Sequence, residues 1–139
     1  MNIRRLALPG VFLVVVAGCT GQEQSGASSK PQQAGSFFLS LDTDPRPPEV
    51  GGSAEVTATV RQGDQPAGDC RVKLRQYMPG MEMSSDKTYF DMTQKGATGA
   101  YQARSGEFSM GGDWVLEVTL DCGGKTQTVN FNYHLEWPQ

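Results

Sequence analysis

From Ser36 onward the chain alternates apolar and polar residues with a period of two, in one short segment after another, and this pattern restricts the fold most. Phe37, Leu39 and Leu41 alternate with Phe38, Ser40 and Asp42. Ala54, Val56, Ala58 and Val60 alternate with Glu55, Thr57, Thr59 and Arg61, and Val72 and Leu74 with Arg71, Lys73 and Arg75. Trp114, Leu116, Val118 and Leu120 do the same further on, followed by Val129, Phe131, Tyr133 and Leu135. A strand turns successive side chains to opposite faces, so each segment has one apolar and one wet face. Residues 89–93, 99–104 and 107–110 are shorter candidates. Asp44-Pro45-Arg46-Pro47-Pro48, Gly51-Gly52, Gly63-Asp64, Gly68-Asp69 and Gly123-Gly124 supply the turns between them. No segment of helical period is long enough to compete. The expectation is an all-β domain over residues 36–139, an immunoglobulin-like antiparallel β-sandwich of about seven strands.

The residues before that domain have a different character. Arg4 and Arg5 precede an apolar stretch over residues 6–17, which Pro9-Gly10 interrupts and which is too short for a secure bilayer span. Val16-Ala17-Gly18-Cys19 resembles the lipobox of bacterial lipoproteins. That resemblance implies a signal peptide over residues 1–18, cleavage before Cys19 and acyl chains, palmitate among them, on the new N-terminal cysteine. Two or more chains anchor stably where one binds reversibly. An ordinary secretory signal with an incidental cysteine is the alternative. Residues 20–35 are rich in Gly, Ser and Gln, with no aromatic and no aliphatic larger than alanine. Such a stretch does not repay the entropy of ordering and reads as a tether of about 20–24 Å root-mean-square span. The localisation expected is the cell envelope, on the periplasmic side of an outer membrane or the extracytoplasmic face of a plasma membrane.

Composition excludes several functions. Residues 36–139 carry 9 Lys and Arg against 14 Asp and Glu, which argues against nucleic acid as a partner. With three cysteines and one histidine, His134, no multi-histidine zinc or blue-copper site can be built. Glu82, Asp86 and Asp91 offer carboxylates without a positioned partner, so no enzyme is expected. Cys70 shares the inward parity of Val72 and Leu74, and Cys122 that of Leu120. In an oxidising compartment the two are expected to pair, as a bridge between the sheets; two buried free thiols or a dithiol metal site are the alternatives.

Beyond the initiator, all methionines fall between Met78 and Met110: Met78, Met81, Met83, Met92 and Met110. Thioethers on a loop are soft ligands that suit Cu(I) or Ag(I). Met81 and Met83, with Met78 or Met110, are the candidate ligands. Methionine is also an adaptable packing residue, and Met78 continues the inward parity of Leu74. Both readings stand on the residues alone.

Four elements carry a family resemblance: Pro47-Pro48-Glu49-Val50-Gly51-Gly52-Ser53, Tyr77-Met78-Pro79-Gly80-Met81, Gly96-Ala97-Thr98-Gly99-Ala100-Tyr101 and Phe108-Ser109-Met110-Gly111-Gly112-Asp113-Trp114. Their order resembles YtkA-like domains, small β-sandwich modules of bacterial exported proteins and lipoproteins, and FixH-type proteins of cytochrome oxidase assembly look like distant relatives. The resemblance implies a copper context and a closeness of Met81 to Met110 at one end of the fold. Many relatives place a histidine soon after the Met-Pro-x-Met element, where this chain has Glu82-Met83. His134 is far away in sequence, so a thioether Cu(I) site is the metal chemistry left. The leading expectation is therefore a non-enzymatic, lipid-anchored binding or accessory domain that handles Cu(I). The rival is an envelope module whose wet sheet face meets a protein partner and whose methionines pack.

Overall fold

The computed structural model describes residues 30–81 and 87–139. Its strands are β1 (Gln32–Ala34), β2 (Phe37–Asp44), β3 (Glu55–Gln62), β4 (Gln65–Pro66), β5 (Arg71–Tyr77), β6 (Tyr89–Lys95), β7 (Ala100–Arg104), β8 (Gly112–Cys122) and β9 (Lys125–Leu135). Every pairing is antiparallel, in the order β1-β2-β3-β7-β6-β5-β8-β9, with β4 on β3. Among the described residues no helix is long and apolar enough to cross a membrane.

The alternating segments become strands because that places most of their apolar side chains on one side. Phe37, Leu39 and Leu41 of β2, Val56, Ala58 and Val60 of β3, and Leu116, Val118 and Leu120 of β8 are all buried. Tyr101, Phe108, Trp114 and Phe131 are the largest buried side chains. Burying a large apolar side chain is worth about 1.5–3 kcal/mol, so these rows hold the sheet closed around its inner face. Strand β6 is the joint: residues 89–92 pair with β5 and residues 93–95 with β7. The sheet curls until its first and last strands meet, where Gln32 Nε2 donates to the Asn130 carbonyl at 3.0 Å. The result is a nearly closed, barrel-like antiparallel sheet.

Three expectations need correction. Strand β1 lies inside the stretch expected to tether, and its Ala34 is buried against the core. A three-residue strand is too short to show a period. It and the two-residue β4 raise the strand count among the described residues to nine. Residues 107–110 form no strand; instead the segment from Ser105 to Phe108 clasps the chain around Gly51–Ala54. Ser105 N–H donates to Ala54 O, Phe108 N–H to Gly52 O and Gly51 N–H to Phe108 O, each at 2.8 Å. Cys70 and Cys122 are disulfide-bonded, with Cα atoms 4.4 Å apart. However, they extend the β5–β8 register one step past Arg71–Asp121. The bridge therefore joins neighbouring strands of one sheet and not two sheets, because β5 and β8 are adjacent in space though 52 residues separate the cysteines.

The register defines two ends. One carries the disulfide and the Gly123-Gly124 hairpin between β8 and β9. The other carries the close of β5, the start of β8 and the close of β9.

Candidate functional site

Met78, Met81 and Met110 all lie at this second end. Met78 follows Tyr77, which pairs with Val115, so it reaches the sheet beside the start of β8. Its side chain is buried, and a Cβ built on Gly112 would stand 2.9 Å from its methyl carbon. Gly112 has φ +126°, so both space and backbone require glycine there. The Pro79-Gly80 turn closes with the Met81 N–H donating to the Met78 carbonyl at 3.2 Å, and it leaves the Met81 side chain 46% exposed. Met110 packs partly buried against the core, and its carbonyl accepts the Trp114 Nε1–H at 2.9 Å. Phe108 meets the Trp114 ring edge to face at 5.2 Å, which fixes the loop between them. Met92 sits away from this group, buried on β6 opposite Val72. Met83, Glu82, Asp86 and the lipidation candidate Cys19 lie outside the described residues.

His134 was expected to be remote, and the β8–β9 hairpin corrects that. It stands opposite Asp113, one step from the Gly112–Leu135 pair, so sequence distance misleads. Its ring is exposed on the outer face. Nδ1 lies 2.6 Å from Asp113 Oδ1 and Nε2 3.3 Å from Glu136 Oε1. The hydrogen bond to Asp113 raises its pKa above the usual 6.5. Both ring nitrogens thus face carboxylates. Among the described residues no group of three or more His, Cys, Asp and Glu side chains is arranged to hold a metal ion. Asp91 stands exposed on β6 opposite Lys73.

Several residues of this end were not singled out from the sequence. The Trp137 side chain lies over Gly111: a Cβ there would be 2.7 Å from Cδ1 and 2.9 Å from Nε1 of its indole, and 3.1 Å from the Leu135 carbonyl. The signal was present as Trp137 two residues beyond Leu135, sharing its parity. Tyr133 is pushed up to about 12, first by burial and then by the Asp42 carboxylate, against an opposing effect of Arg46. On the outer face, Arg75 bonds Glu117 at 2.7 Å and lies 4.7 Å from the Tyr77 ring centre and 5.5 Å from that of Tyr89. Val115 is buried on that same outward parity, which alternation alone does not reveal.

The YtkA-like family model matches residues 32–119, more than half of the chain, a span that includes Met78, Met81 and Met110 and ends before Trp137. No curated protein and no solved structure matches it. The chain belongs to the YtkA-like family.

Proposed function

We propose that this protein is a non-enzymatic, lipid-anchored accessory domain of the bacterial cell envelope that binds Cu(I) at the methionine-bearing end of its sheet. The observation that carries this is the arrangement of Met78, Met81 and Met110 on the two loops flanking the start of β8. Thioethers are neutral, soft donors, and a few of them suffice for a low-coordinate d¹⁰ cation. Met81 is presented to solvent, Met110 is partly buried at the same end, and Met78 fixes the loop by packing against Gly112. Met83, two residues further along the sequence, joins the ligand set in this reading. His134 is paired to Asp113 and Glu136, which leaves the thioethers as the soft donors of this end. The sheet acts as an immunoglobulin-like sandwich, with β6 as the strand that passes between its two layers. Acylation of Cys19 after removal of residues 1–18 holds the domain at the membrane through the segment that follows.

The test is competition with a Cu(I) chelator. The protein is expected to take about one equivalent, and the Met81→Ala, Met83→Ala double variant to lose it while keeping its thermal midpoint. Unchanged affinity in that variant would remove the thioether site. Failure of a Cys19→Ala variant to incorporate labelled palmitate is the expected result for the anchor, and continued incorporation would refute it.

A second reading has its own observation. Arg75, Tyr77, Tyr89 and Glu117 form an outward patch of the residue types that dominate protein interfaces. An envelope protein partner docking there, with no metal, is the alternative; it is favoured if the double variant keeps partner binding and the wild type takes up no Cu(I).

A further inference from the structure

We propose that Trp137 forms part of the same site, its indole serving as a π-face against which a soft monovalent cation held by the Met81 and Met110 thioethers is stabilised; the proposal rests on the thioether reading above. Gly111 makes the position available, because any Cβ there would fall within 2.7–2.9 Å of the ring atoms Cδ1 and Nε1. The next residue, Gly112, receives the Met78 methyl in the same way. Two adjacent glycines thus accommodate an indole edge and a methionine methyl, immediately after Met110. Trp137 nevertheless stays 62% exposed, the most exposed large hydrophobic side chain among the described residues. Its edge is fixed and its ring remains open to solvent, which is poor use of an indole for packing and good use for binding.

The chemistry explains why an aromatic face belongs here. Two thioethers carry no charge, so a cation they bind keeps its full positive charge. A carboxylate would neutralise it but is a harder donor. Two carboxylates of this end, Asp113 and Glu136, are engaged with His134. An indole is the best of the side-chain π-faces for a cation and adds no hard ligand. Trp137 lies beyond residues 32–119, which the family model matches.

The experiment uses the full chain in detergent, with Ag(I) as a redox-inert stand-in for Cu(I), read by tryptophan fluorescence and by chelator competition. Wild type is expected to show quenching that saturates near one equivalent. Trp137→Ala should lose that quenching and bind Ag(I) about 3- to 30-fold more weakly, the range that a cation–π contact supplies. Trp137→Phe should recover part of the affinity and, by keeping a ring over Gly111, guards against a fold defect in the alanine variant. Equal Ag(I) affinity in wild type and Trp137→Ala would overturn the indole's role. Binding that is lost in Met81→Ala but intact in both Trp137 variants removes the indole alone. No Ag(I) uptake by wild type removes the thioether site and this proposal together.

Discussion

The Tyr101 hydroxyl accepts the Cys70 N–H at 3.1 Å and donates to the Ala67 carbonyl at 3.0 Å. One buried phenol on β7, which lies between β3 and β6, thereby ties down the loop that delivers Cys70 to its disulfide. Tyr101→Phe keeps the ring and strips two backbone groups of their partner. A buried group left unsatisfied costs about 1–3 kcal/mol, so the variant should unfold at measurably lower denaturant with an unchanged slope. An unaltered midpoint would mean that water replaces the hydroxyl at no cost.

Tyr133 gives the fold an alkaline limit. Its folded pKa of about 12 lies above the ordinary value of 10.0, so folding favours the neutral phenol. That contribution is complete below pH 10 and is lost as pH rises from 10 through 12. Because the side chain is only partly buried, the loss should be no more than about 2 kcal/mol. Denaturation midpoints followed from pH 9 to 12 should fall in wild type more than in Tyr133→Phe; parallel curves would contradict the assignment.

His134 should titrate above its usual 6.5, because protonation strengthens its hydrogen bond to Asp113. Proton NMR of the single histidine measures this directly. Asp113→Asn should bring the titration back toward 6.5, with Glu136 retaining a smaller effect. A midpoint that the substitution leaves in place would show that the pair does not form in solution.

Much of this fold is legible in the sequence, for a physical reason. Val56, Ala58 and Val60, or Leu116, Val118 and Leu120, must all face one way once they are strands, and they are all buried. Local alternation does not carry pairing, so β5 and β8 could not be recognised as neighbours, and the Cys70–Cys122 bridge was placed between sheets that it does not join. The same gap hid His134, which a hairpin carries to the methionine end despite its distance along the chain. Met78, Met81 and Met110 were visible as a cluster in composition, but only the register brings the two loops together. Trp137 shares the parity of Leu135 in the sequence, but its packing over Gly111 depends on the side chain that Gly111 lacks, which alternation does not reveal.

In the proposed function Cu(I) is held by thioether sulfur at the end of the sheet that carries Met78, Met81 and Met110. X-ray absorption at the copper edge, on protein loaded with one equivalent of Cu(I), reads the donor atoms themselves. Sulfur scatterers alone, reduced in number in the Met81→Ala variant, are expected. A nitrogen shell from His134, or a protein that retains no copper after desalting, would contradict it.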